Sequence, residues 1–337
     1  MEPVARSAPP EPARFIVGMS RAGTTWLSRC FNEHPESAVF GETLFWGRNY
    51  LPPAPDGRYT PSQIAQLKRR LIRASWSSTF GSGPGCLKNL SRRNLAQVIN
   101  QAFDNAPSAL TPGAAFQHLC AAVAAVEGKR CAIEKTPHHV NWIDRILAQL
   151  PDARFIVMVR DPYGFMLSYK HQGDRRVEHQ RRNFGRLYHP AACALVWKRY
   201  MTACDQALAR HPASTHRIWY GDLRTDPHGV MLRAQEFLGL APASIADKVP
   251  PENSSFPGGV RPELAPIDVF WMNVIAGGVM RRFGFERRPA KAGFASIAAS
   301  ALMLPVWAVR NLIALFRRSG SGAGRYVLRW LKPSRAA

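Results

Sequence analysis

Short apolar runs alternate with stretches of helical period through the first 285 residues. Positions 15–17, 38–40, 130–133, Arg154–Val159 and 217–220 read as five strands. The fourth is apolar at successive positions, Phe-Ile-Val-Met-Val, as a strand buried on both faces must be. Between them the pattern predicts helices over Thr24–Asn32, 61–73, 91–104, 112–127, 142–150, 162–171, 190–210 and Pro227–Leu238. The first stops near His34-Pro35, since proline drives the preceding residue away from helical dihedrals. Residues 47–85 carry several Pro, Gly and Ser and read as an irregular insertion around the helix at 61–73. Strands alternating with helices predict an α/β fold of three layers, with a central parallel sheet flanked by helices. No internal repeat is visible.

Polar residues fall where these strands end: 18–25 after the first, Glu42 after the second, Glu134-Lys135 after the third, Arg160-Asp161 after the fourth and Asp222 after the fifth. Open parallel sheets bind ligands at their carboxyl ends. The first of these groups is the most informative. Phe-Ile-Val is followed by Gly18, four residues, Gly23 and Thr24-Thr25, the form of a phosphate-binding loop. The lysine with which such loops hold the terminal phosphates of a nucleoside triphosphate is missing. Arg21 stands inside the loop, and its planar fork suits a phosphate or sulfate oxyanion. A P-loop small-molecule kinase and a non-catalytic anion-binding protein are the alternatives to an enzyme transferring an oxyanion.

Charge favours an anionic partner. The chain holds 45 Lys+Arg against 23 Asp+Glu, a formal +22. It shows no arginine-rich repeat, zinc-ligand spacing or aromatic RNA-binding signature, which leaves nucleotides, sulfated or phosphorylated substrates and anionic membrane surfaces rather than nucleic acid. Six cysteines without a C-x-x-C pair read as reduced thiols of a cytoplasmic protein. Residues 1–13, rich in Pro and Ala, read as a flexible lead-in rather than a signal peptide. A catalytic domain is expected over 14–290, followed by an apolar and basic helical tail over 291–337. That tail carries eight Lys+Arg and no acid, with an apolar stretch at 294–316 broken by Pro305 and Arg310, and a basic amphipathic piece at 325–332. Such a pattern suits either a helix in an anionic membrane interface, as on the cytoplasmic face, or a helix docked on the domain or on a second copy.

A second motif follows the fourth strand. In RDPYGFMLSYKH, Asp161 and Pro162 suit the start of a helix, Asp161 as its cap, so that Arg160 and Ser168 address one anion from loop and helix. The two motifs together resemble the sulfotransferases that use 3′-phosphoadenosine 5′-phosphosulfate (PAPS), in the branch of bacterial carbohydrate and tyrosylprotein enzymes. The resemblance spans about residues 14 to 286 and extends to HPE at 34–36, GE at 41–42, EKTP at 134–137, YGDL at 220–223 and MRRFGFE at 280–286. Ala22 stands where a serine is frequent, and Gly221 where an acidic residue is usual.

The resemblance implies PAPS as sulfuryl donor and an acceptor hydroxyl, read as that of a saccharide or, on the strength of the apolar tail, a glycolipid; no metal is expected, because arginine and lysine supply the positive charge. It places Ser20, Arg21, Ala22, Gly23, Thr24, Thr25 and Trp26 at the 5′-phosphosulfate, Arg160 and Ser168 at the 3′-phosphate, and Arg261 as a later basic residue closing over it. Glu42 is the expected general base, with Lys135 and Arg21 as catalytic cations. A surface glutamate and a solvated lysine are the alternatives for the first two. In the cytosolic branch a downstream histidine is the base, for which His118 is the nearest candidate. His138 and His139 are adjacent and point apart, so they do not form a metal pair; one of them is a candidate to face the acceptor. The basic residues of 170–189 (Lys170, Arg175, Arg176, Arg181, Arg182 and Arg186) form either a solvated helix face or a cationic rim.

Overall fold

The computed structural model describes residues 11–76, 79–81, 83–104, 106, 109–172, 188–250 and 262–319. Five parallel strands form one sheet in the order β2-β3-β1-β4-β5: β1 is Arg14–Gly18, β2 Ser37–Gly41, β3 Cys131–Lys135, β4 Arg154–Val159 and β5 Thr215–Trp219. All pairings are parallel, and every residue of β1, β2 and β3 is buried. The α/β architecture read from the alternation is therefore present. Phe15 is stacked between Phe116 and Phe155, with ring centroids 5.0 and 4.9 Å away, which ties β1 to a helix on one side and to β4 on the other. Burying such a ring is worth about 2–3 kcal/mol.

Helices flank the sheet: α1 Thr24–Asn32, α2 Pro61–Arg73, α3 Leu95–Asp104, α4 Pro112–Glu127, α5 Ile143–Gln149, α6 Pro162–Lys170, α7 Pro190–Arg210, α8 Tyr220–Thr225, α9 Pro227–Leu238, α10 Pro266–Arg282 and α11 Phe294–Ser319. Their starts have local causes. Thr60 and Gln63 close a reciprocal capping box on α2, and Thr111 accepts from the Ala114 amide on α4. The sequence Asp-Pro-x-Gly opens both α6 and α9. Asp161 accepts from the Gly164 amide at 2.6 Å, and Asp226 from the Gly229 amide at 2.9 Å. A β-carbon on either glycine would crowd the capping carboxylate, at 2.4 and 2.3 Å.

Several boundaries differ from the sequence expectation. Glu134 and Lys135 are the last residues of β3 rather than a loop after it, because both backbones pair with β1 and β2. Tyr220 and Asp222 lie in α8, not at the end of a strand. The expected helix at 91–104 begins at Leu95, after a turn in which Ser91 and Asn94 bond to each other. The periodic pattern also passed over α10, which packs against α7 and α6.

Candidate active site

Gly18 ends β1 with φ +114°, and a β-carbon there would lie 2.2 Å from the Met158 carbonyl oxygen of β4. The phosphate loop can leave the sheet at this point only because the residue is glycine. Arg21 follows in the left-handed region, at φ +65°. Gly23, at φ +83°, is the N-cap of α1, and no side chain caps the helix. The first turn of α1 therefore directs its amides at whatever the loop holds. Thr24 is buried, Thr25 exposed, and the Trp26 indole donates to the Val249 carbonyl at 2.9 Å.

The two motifs meet in space. Arg21 Nε donates to Ser168 Oγ at 3.2 Å, and Arg160 Nη1 donates to the Arg21 carbonyl at 2.6 Å. The Arg160 guanidinium lies 4.2 Å from the centre of the Tyr220 ring, whose edge would touch a β-carbon on Gly23 at 2.9 Å. Trp197 Nε1 donates to the Arg160 carbonyl at 2.9 Å and holds that residue from the α7 side. Loop, β4–α6 junction and α8 thus converge on one cationic seat.

A second group stands at the ends of β2 and β3. The Glu42 amide donates to the Lys135 carbonyl at 2.9 Å, and Lys135 Nζ lies 2.9 Å from Glu42 Oε1. Lys135 is 2% exposed and Glu42 36%, so a buried ammonium holds a carboxylate that still reaches solvent. Glu42 takes φ +54°, a backbone conformation unusual for a residue with a side chain. Behind this pair, Glu134 is buried. It accepts from Thr43 Oγ1 at 2.8 Å and Thr136 Oγ1 at 2.5 Å, and His139 Nδ1 is 2.9 Å away. The Trp46 amide donates to His139 Nε2, so the ring proton sits on Nδ1, the nitrogen nearer Glu134. Burial pushes the Glu134 carboxyl up, but His139 and the two hydroxyls outweigh it and hold it below the usual range.

His138 links the halves. The Tyr200 hydroxyl lies 2.9 Å from His138 Nδ1 and 3.4 Å from Ser20 Oγ of the loop. Burial depresses the imidazole's proton affinity, and the Glu42 charge pulls the other way.

Of the residues expected at the site, Ser20–Trp26, Glu42, Lys135, Arg160 and Ser168 line these two connected groups. Asp161 is the cap of α6, as its spacing indicates. Asp222 is exposed on α8, and His118 sits within α4, whose neighbours are α3, β2, β3 and α5. Arg261 and residues 173–187 of the basic segment lie outside the described residues.

The sequence model described as the Sulfotransferase family matches residues 12–243. This chain belongs to the sulfotransferase family. The sulfotransferase is similar to solved structures of sulfotransferase STF9 from Mycobacterium avium (18% identity, 83% of this chain and 78% of that one, TM-score 0.46). It is also similar to the sulfotransferase domain of the Synechococcus PCC 7002 olefin synthase (17%, 87% and 94%, 0.47) and to a sulfotransferase from Alicyclobacillus acidocaldarius (18%, 84% and 98%, 0.42). A search of curated proteins gives no match. Membership makes the chain an enzyme of sulfuryl transfer and displaces the kinase alternative. Tyr200 joins the sulfotransferase's site through contacts that no short motif signals, whereas Glu134 opens the EKTP segment, His139 follows it by two residues and Tyr220 opens YGDL.

Proposed function

We propose that this sulfotransferase moves the sulfuryl group of PAPS onto a hydroxyl of a saccharide or glycolipid, with Glu42 as general base. The observation that carries the reading is the Glu42–Lys135 pair. A solvent-reaching carboxylate is held by a buried lysine at the ends of β2 and β3, and β3 is the neighbour of the strand that feeds the phosphate loop. The donor's 5′ end suits the uncapped first turn of α1 together with Arg21, and its 3′-phosphate suits Arg160 and Ser168.

In transfer, the acceptor O–H gives its proton to Glu42 while its oxygen bonds to sulfur. The bond from sulfur to the 5′-phosphate oxygen breaks in line, and the 3′,5′-diphosphate (PAP) leaves. Negative charge grows on that leaving oxygen and on the sulfuryl oxygens. As Glu42 becomes neutral, its hold on Lys135 weakens and the lysine's charge stabilises the leaving oxygen; Arg21 serves the same purpose from the loop. The saccharide or glycolipid class rests on the resemblance to the bacterial carbohydrate branch and on the apolar tail.

The test is Glu42→Gln. PAP binding by calorimetry should stay near wild type, while transfer from labelled PAPS to glycan and lipid extracts falls on the order of 10²–10⁴-fold. Retained turnover would remove Glu42 as base. If no extract component is labelled by the wild type, the saccharide and glycolipid classes fall.

A further inference from the structure

The helix α11 has two faces, and the molecule covers one of them. Ile297, Ser300, Leu304, Trp307 and Asn311 recur at spacings of three and four and are partly covered. Trp271 Nε1 of α10 donates to Ser300 Oγ at 3.0 Å. His189 Nε2 lies 3.1 Å from the Ser300 carbonyl, and its ring centroid is 5.9 Å from that of Trp307. On the opposite side, Leu302, Val306, Val309 and Ile313 form an exposed apolar stripe, flanked by exposed Met303 and Leu312. The segment Phe294–Ile313 is long and apolar enough to cross a membrane, yet it is pinned along one side. It also lies beyond residue 243, where the family match stops.

We infer that α11 lies in the plane of an anionic lipid surface, apolar stripe inward, with the catalytic end of the sheet beside that surface. Charge selects the lipid: by sequence, residues 291–337 hold eight Lys+Arg and no acid, so the segment that carries the stripe has a net positive charge. Pinning selects the in-plane orientation. A spanning helix would need lipid around its whole circumference, which requires giving up the contacts of Ser300 and Trp307 and taking Arg310 into hydrocarbon. The topology sets the side. Trp197 of α7 bonds to Arg160 at the carboxyl end of β4, while α7 finishes near the start of β5. The first seven residues of α7 therefore project about 10 Å past the carboxyl rim. His189, which α11 touches, immediately precedes them. An acceptor carried in a lipid layer would meet the enzyme at this end, a consequence that rests on the proposed acceptor class, whereas the lipid contact itself does not.

The full chain in detergent-free buffer, floated with vesicles of phosphatidylcholine and phosphatidylglycerol, reads this directly and needs no turnover. The protein should float with the mixed vesicles, float on the order of tenfold less with phosphatidylcholine alone, and be released by alkaline carbonate. The double variant V306D/V309D, altered only on the exposed stripe, should lose flotation on the order of tenfold or more while binding PAP normally. Normal PAP binding shows that this variant is folded; if it is misfolded, L302S/V306S should show the same loss with PAP binding intact. Three results overturn the inference: no flotation of the wild type, flotation unchanged in the folded stripe variants, or retention after carbonate. A stripe that only joins two copies, seen as a dimer by light scattering that V306D/V309D dissociates without any flotation, also overturns it.

Discussion

A β-carbon on Gly41 would fall 2.5 Å from the Lys135 carbonyl oxygen and 3.1 Å from Lys135 Cε. The lysine stem climbs past β2 through this gap to meet Glu42. Lys135→Ala should therefore lower transfer from labelled PAPS on the order of a hundredfold, because a positioned cation at developing charge is lost. Lys135→Arg should not restore it, since a fork is bulkier than the ammonium in a slot 2% exposed. An alanine variant with full turnover would remove Lys135 from the chemistry. Below it, Glu134 ionises more readily in the folded chain than in the unfolded one. Between the two values the unfolded chain binds the proton, so stability is full above the ordinary glutamate range and is lost as pH falls from that range through the lower folded value. Glu134→Gln should melt lower at neutral pH and lose less on acidification from about pH 5; melting curves that stay parallel across that range would contradict the assignment. Glu42 and Lys135 were legible because each stands where a strand ends, Glu42 just past β2 and Lys135 as the last residue of β3. The Glu134–His139 contact was not, since a carboxylate inside a strand and a histidine inside a 3₁₀ turn at Pro137–Trp142 carry no shared period.

Among the described residues, six α-helices begin with proline at the first turn: α2, α4, α6, α7, α9 and α10. For the first five, proline and an amphipathic run agree, and their starts were readable to the residue. For α10 they conflict. It packs on α7 and α6 and also meets α11, so apolar residues lie around most of its circumference and the glycine pair at 277–278 adds no polar face. Gly277 is also where the Arg287 guanidinium crosses, 2.3 Å from a β-carbon placed there. The phosphate loop was legible for the opposite reason, since its spacing is set by the ligand rather than by packing. At its first glycine, Gly18→Ala meets the Met158 carbonyl and a positive φ together, where neither backbone can move freely. A loss of roughly 3 kcal/mol or more is expected in denaturant unfolding. An alanine variant as stable as wild type would mean that β1 and β4 separate more easily than their register indicates.

Across the whole molecule, the family match ends at residue 243, yet the donor side of the site is braced from beyond it. Asp268 of α10 is buried and lies 2.6 Å from Lys170 Nζ at the end of α6, the helix that carries Ser168. The same carboxylate accepts from the Tyr188 hydroxyl at 2.7 Å and from the Ala265 amide at 3.0 Å. Burial and this neighbouring charge push the Tyr188 hydroxyl far above its ordinary value, so it remains a donor. Three donors from three segments meet on one acid, and removing it strands each of them. Asp268→Ala should cost about 3 kcal/mol, or roughly 10 °C in melting temperature, and weaken PAP binding through α6. Shortening the chain separates the two appendages in the same way. Ending it at residue 265 removes α10 and should leave no cooperative unfolding transition. Ending it at residue 290 removes α11 alone, whose contacts are with α10 and His189, and should leave PAP affinity near wild type. If the shorter chain still melts cooperatively and binds PAP, α10 belongs with the tail rather than with the catalytic domain. If the longer one loses PAP, α11 braces the site as well as covering it.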